Sequence, residues 1–288
     1  MKRLLTLIFT LWTAALATQA QETENYGAVW TEVSATKVLP YDFSIDAGVG
    51  FRSFDWFDNA NRFDANIGLG YKLGKYFKFG LCYTFIARHY LSSTEYKYTD
   101  DNDFATYQGT TITDDNGDRQ LYKGYNVDAA YWTPRHRLSF DISADKRFWK
   151  TLRVSLRERY QYTYQGARAI DRTKYRVDSY DSDYNITDWE DPEVTTKDKS
   201  ARNRHLLRSR LKFAIDKKGW KWEPFVSAEL HNNIKDSWHI DKIRCVAGAE
   251  YALSKQHKLS AAYVFTHEND DDGDENIHAI SLAYHFKF

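Results

Sequence analysis

The sequence predicts an all-β fold, a closed antiparallel up-and-down transmembrane β-barrel of 10 to 12 strands. Three observations carry that reading. A secretory leader is followed by no apolar stretch long enough for a membrane helix; long segments alternate apolar and polar side chains; and the connections between those segments are alternately short and long.

Lys2 and Arg3 precede an apolar run from Leu4 to Leu16, and Thr18-Gln-Ala20 is a small-residue exit. Residues 1–20 therefore read as a secretory signal peptide and residues 21–288 as a single outer-membrane β-barrel domain. A membrane helix needs about 20 apolar residues, and this run stops short of that at a cleavage-like site. No cysteine stands directly after the exit, where a lipid-modified N-terminus requires one, so a lipid anchor is not expected. Removing the leader takes away two basic residues and no acid, so the net charge falls from zero to −2. That balance excludes the basic footprint of a nucleic-acid binder. Only four prolines occur and no Pro, Gly or Ser-rich linker divides the chain, which favours one domain.

The alternation is clearest from Tyr41. Tyr41, Phe43, Ile45, Ala47, Val49 and Phe51 face one way, and Asp42, Ser44, Asp46, Gly48, Gly50 and Arg52 the other. The run from Arg62 to Leu73 repeats it, with Phe63, Ala65, Ile67, Leu69, Tyr71 and Leu73 on the apolar side. Both are long enough to cross a bilayer, which takes about 9 to 11 tilted residues. Further runs lie near 77–89, 137–146, 151–165, 204–216, 221–232, 242–253, 257–267 and 277–288, and a weaker one at 28–38. Glu158 interrupts the apolar side of the run at 151–165 and is expected at a bulge or in the headgroup zone. Cys82 and Cys245 fall on opposite faces and are expected to be free.

Short connections occur at Val38 to Pro40, Gly74-Lys75, Arg147 to Lys150, Lys217 to Trp220 and Ser254 to Gln256. Tyr90 to His136 and Gly166 to Asn203 are long and polar. Outer-membrane barrels have this asymmetry, with tight turns on the periplasmic side, so the chain is expected to end there. Aromatic residues make up 16% of the chain and gather toward the run ends, as in Tyr71, Tyr83, Trp220, Trp222 and Tyr251, where interfacial girdles form. A soluble β-sandwich also alternates, but gives no reason for one-sided loops or for so many charges on the second face.

The last segment sets Ile280, Leu282, Tyr284, Phe286 and Phe288 on one face and ends in phenylalanine. It resembles the terminal strand that outer-membrane barrels present to their assembly machinery. The partners expected are therefore that machinery, through Phe288, and outer-membrane lipid of a Gram-negative bacterium. A wider resemblance rests on Val29-Trp-Thr-Glu-Val33, Arg62-Phe-Asp-Ala-Asn-Ile-Gly-Leu-Gly-Tyr-Lys-Leu73 and Leu156-Arg-Glu-Arg-Tyr-Gln-Tyr162. These are similar to an uncharacterised outer-membrane barrel family of the Bacteroidota, domain of unknown function 2490. The resemblance implies fold and location and no established activity. The runs number eleven, whereas bacterial single-chain barrels have even counts, so ten or twelve strands are expected.

If the apolar face meets lipid, the other lines a lumen. Its candidates are Arg52, Arg62, Asp64, Arg88, Asp141, Arg153, Arg157, Arg208, Arg210, Glu229, Arg244 and Glu250, accompanied by Asp46, Arg137, Asp145, Arg159 and Glu223. In a narrow barrel, opposed charges pair and fill the interior, because an unpaired buried charge is costly. The competing possibility is a water-filled pore whose surplus arginines favour anions. The acidic turns Asp114 to Asp118 and Asp270 to Glu275 are not EF-hands, since Lys123 and Ala279 stand where the bidentate glutamate belongs. His231, Asp236 and His239 form the one cluster resembling the acid and base sets of rim hydrolases. No phosphate loop, nucleophile elbow or zinc spacing occurs, so no cofactor is expected. A non-enzymatic barrel, as a small channel, ligand binder or structural component, is preferred over a hydrolase acting on lipid or peptide.

Overall fold

In the computed structural model the described residues are 24–99, 106–107, 110–111, 121–182, 185–235, 238–270 and 273–288. The leader at residues 1–20, the turn Asp114 to Asp118, Asp236, and Asp271 and Asp272 lie outside them. The described chain is all-β: β1 (Glu24–Val38), β2 (Phe43–Phe54), β3 (Asn59–Leu73), β4 (Phe77–Tyr90), β5 (Ser93–Thr99), β6 (Thr106–Tyr107), β7 (Thr110–Thr111), β8 (Leu121–Asp128) and β9 (Tyr131–Phe148) come first. β10 (Leu152–Gln165), β11 (Arg168–Tyr180), β12 (Ile186–Trp189), β13 (Glu193–Lys199), β14 (Arg202–Ile215), β15 (Trp222–Asn233), β16 (His239–Ala252), β17 (His257–Asp270) and β18 (Gly273–Lys287) follow.

Eleven of these close into one ring in the order β1-β18-β17-β16-β15-β14-β10-β9-β4-β3-β2. They are the eleven alternating runs of the sequence, now a closed barrel rather than two sheets packed face to face. The even count gives way for a geometric reason. In an up-and-down ring with an odd number of strands, the first and last strands run the same way and must meet in parallel. β1 and β18 do so, from Glu24↔Glu275 to Thr36↔Lys287, and every other seam is antiparallel. Backbone bonds from Val38 N to Phe288 O and from Phe288 N to Thr36 O, both 3.0 Å, finish the seam.

The period of two sorts side chains to the two faces of the wall. Cross-strand partners Val33, Val49 and Ala65 point outward together, as do Ala35, Ala47 and Ile67. Their neighbours point inward, where Gly50 leaves room for Asp64: a Cβ there would lie 3.1 Å from the carboxylate. Cys82 faces in and Cys245 faces out, and both are free. Glu158 faces out between Ile142 and Ser209, and it needs no bulge, because Ser209 donates a 2.7 Å hydrogen bond to its carboxylate. Instead of a large apolar core, the interior holds a small patch of Ala28, Val264 and Ala279, against which Trp30, Val246 and Ile277 pack.

The two long connections are not irregular loops. β5, β8, β11, β12 and β13 from both of them assemble into a five-stranded sheet at the end of the barrel opposite the short turns. Gly124 makes the close approach of β8 to β11 possible: it sits at φ +116°, and a Cβ would fall 2.1 Å from the Tyr175 carbonyl oxygen. One side of this sheet is aromatic, with Tyr125 stacked on Tyr175 at 4.6 Å and edge-on to Trp189 at 6.0 Å. The other side is charged and centred on buried Asp128, which accepts from Arg172 at 2.6 Å and from Lys197 at 2.9 Å. Burial alone would raise the Asp128 carboxyl, but the hydrogen bonds and charges of Arg172 and Lys197 win and hold it well below the usual carboxylate range.

Candidate functional site

The interior is built from one residue in two along each strand, so neighbouring strands stack their charges in layers. Arg157 on β10 lies beside Arg210 on β14, and Arg159 beside Arg208. Arg210 in turn faces Glu229 on β15, and Glu229 faces Arg244 on β16. Arg52, Arg62 and Arg88 run in register across β2, β3 and β4. The pairing register sets all twelve lumen candidates on the side of the wall opposite the outward apolar residues.

What the sequence did not reveal is who pairs with whom. Glu229 is the hub, with a side chain only 5% exposed. Its carboxylate accepts from Arg157 at 2.9 Å, from Arg208, and from His231 Nε2 at 2.7 Å, with Arg244 at 3.6 Å. Arg159 is bidentate on Asp141, and Arg62 meets Asp64 at 2.9 Å. Nearer the short turns, Arg153 bridges Asp145 and Glu223, while Lys212 and Lys258 hold Glu250.

Trp30 joins the two halves. It projects inward from β1, with the Arg52 guanidinium 4.3 Å from the centre of its ring and that of Arg244, three strands away on β16, at 5.0 Å. The contacts from Arg157 through Glu229, Arg244 and Trp30 to Arg52 therefore form one continuous waist of side chains along the inner face from β10 to β2. Below that waist a cavity of about 710 Å³ reaches to the β16–β17 turn at Lys255 and Gln256.

The rim residues divide. His231 is buried in the lumen on Glu229, and His239, half exposed, lies 2.8 Å from Asp241, which also binds Arg204. Two histidines on two different carboxylates do not share one described acid and base set, and Asp236 lies outside the described residues. Sequence reasoning missed Trp30, which lay in the weakest run, and Asp241, which the alternation alone does not mark. The chemistry this interior can offer is charge and hydrogen-bond donors facing an enclosed space, with cations in excess.

No curated protein matches the chain. The family described as protein of unknown function (DUF2490) matches residues 27–276, which takes in the barrel wall from β1 through β17 and only the first residues of β18. The chain belongs to that family.

Proposed function

We propose that this protein is a non-enzymatic outer-membrane β-barrel of a Gram-negative bacterium, of the Bacteroidota type its sequence resembles, and that it holds a ligand inside rather than passing solutes through an open pore. One observation carries the location. Val33, Val49, Ile67, Leu81, Leu138, Leu156, Leu211, Leu230, Ile243, Leu259 and Leu282, one on each strand of the ring, are each between 37% and 58% exposed. A closed barrel has no second sheet to cover such a belt, and an apolar surface this continuous is stable against hydrocarbon, not water. Trp149, Trp220, Trp222 and Phe288 stand exposed at the turn end, as a girdle at a membrane interface requires. The short turns then face the periplasm and the five-stranded sheet faces outward.

The ligand-holding role is supported by the contacts that cross the waist. Glu229, Arg157, Arg208 and Arg244 are paired with one another on the inner face and no more than 17% exposed, where a conducting pore needs water. His231 is engaged inside the same network and is withdrawn from the rim, which speaks against hydrolysis there. Cell fractionation tests the location: the protein should sediment with the outer membrane and resist carbonate extraction, and recovery in the soluble periplasm would overturn it. Planar bilayers test the closed waist. The wild-type barrel should carry no steady current, whereas Glu229→Ala with Arg244→Ala should; an open wild-type pore refutes ligand holding.

A further inference from the structure

The cavity below the waist has two unlike walls. On the β10 and β14 side it is lined by Arg157, Arg208, Arg210 and Lys212. On the far side, β16 to β18 contribute Val246, Ala262, Val264 and Ala283. Nine lining side chains are cationic and three are carboxylates, so the walls carry a surplus of positive charge. None of the three carboxylates is within ion-pair distance of Arg210, although Glu229 lies across from it. Glu229 is taken by Arg157, Arg208 and Arg244, and Glu250 by Lys212 and Lys258. Arg210 forms no ion pair or hydrogen bond among the described residues. The Nε groups of Arg157, Arg208 and Arg210 are buried without an acceptor. Buried donors left over in one place are unusual in a folded protein and point to an acceptor that arrives with a ligand.

From these walls the geometry points to a single-chain amphiphilic anion as the ligand, its anionic head on Arg210 and the neighbouring guanidinium groups and its hydrocarbon body along the Ala283, Ala262 and Val246 wall. The volume is in the range of small-molecule sites, which accommodates one such molecule. Lys255, Lys258 and Lys287 stand at the turn end of the cavity, where they draw an anion toward the opening. A carboxylate and a phosphate monoester present the same acceptor chemistry to an arginine, so fatty acids and lysophospholipids are both candidate sources. The assignment rests on the ligand-holding reading and, for entry from the periplasm, on the outer-membrane one.

Native mass spectrometry of the barrel released from nanodiscs tests it with dodecyl phosphate, laurate, dodecanol and inorganic phosphate as probes. One dodecyl phosphate or laurate should bind per barrel, and dodecanol and inorganic phosphate should each bind at least about tenfold more weakly, because each lacks one half of the match. Preference for dodecyl phosphate over laurate indicates a phosphate-headed source, and the reverse a fatty acid. Arg210→Gln should weaken the anionic probes about tenfold or more and leave dodecanol unchanged. Ala283→Phe should weaken every probe carrying a chain, and it provides a second variant should Arg210→Gln fail to fold. Inorganic phosphate binding as tightly as dodecyl phosphate overturns the inference, as does chain binding that neither variant moves, which marks adsorption to the outer belt. A protein that fractionates with the outer membrane and carries no current, yet takes none of the probes, refutes this inference alone.

Discussion

Glu229→Gln removes one charge from the centre of the barrel while keeping its shape. The carboxylate balances Arg157 at 2.9 Å, Arg208 at hydrogen-bond distance and Arg244 at 3.6 Å, all on side chains no more than 17% exposed. Breaking a buried pair by removing one partner costs roughly 3–5 kcal/mol, because the other charge stays buried and unbalanced. Here one acid serves three guanidinium groups, so the lower end of that range is the least expected. With a urea slope of about 3 kcal/mol per molar for a chain of this size, the unfolding midpoint should fall by about 1 M. The assay is urea unfolding in lipid vesicles followed by tryptophan fluorescence, in which Trp30 reports on the same network. Adding Arg208→Gln should cost less in the Glu229→Gln background than in the wild type, since it relieves the surplus charge. A midpoint shift below about 0.3 M with an unchanged slope, or strict additivity of the pair, would refute the account of Glu229 as the hub.

Three further predictions test other parts of the molecule. Because the folded Asp128 carboxyl is held below its unfolded value of about 3.9, the stability it lends the outer sheet is complete above that pH and is lost as pH falls through the folded value. Limited proteolysis of the sheet should therefore accelerate on acidification below about pH 4 and show a weaker pH dependence in Asp128→Asn; equal profiles would contradict it. Gly124→Val forces a Cβ to 2.1 Å from the Tyr175 oxygen at a φ of +116°, so the sheet should become protease-sensitive while the barrel keeps its heat-modifiable gel mobility. Glu158→Leu removes an acid from the outer apolar face and should stabilise the barrel in vesicles by about 1–2 kcal/mol. Destabilisation instead would mean that Glu158 and Ser209 meet something other than acyl chains.

The wall of the barrel was legible because its signal is local. An outward Val49 or Leu81 declares itself by its neighbours two positions away, whatever the strand pairs with. The interior was legible only as a list. That Glu229 binds Arg157, Arg208, Arg244 and His231 depends on the register of several strands at once, and no spacing in the chain encodes it. The outer sheet was missed for a different reason. Tyr96 and Tyr98 alternate with polar residues, but the register shift opposite Lys97 and Tyr98 leaves an extra residue between Tyr122 and Gly124 and breaks the period of two on β8, and few aliphatic side chains mark an apolar face. Eleven runs in an up-and-down ring also imply a parallel closing pair; the prior for even counts hid that deduction, although it needed no coordinates.

The parallel closure has a consequence for how such a wall is made. Every other neighbour is delivered by a connection in the chain or by a nearby sheet, whereas Glu24 and Glu275 must find each other across nearly the full length of the polypeptide. Loop-closure entropy makes that meeting slow, so the ring shuts last and at this one place. The leading strand also starts at the end remote from where the final strand stops, so its first residues have to travel the whole height of the cylinder before the circle is complete. An affinity tag before Glu24 and another after Phe288 would then come to rest on opposite rims, and any block to passage of the first would trap a half-open, lipid-exposed arc.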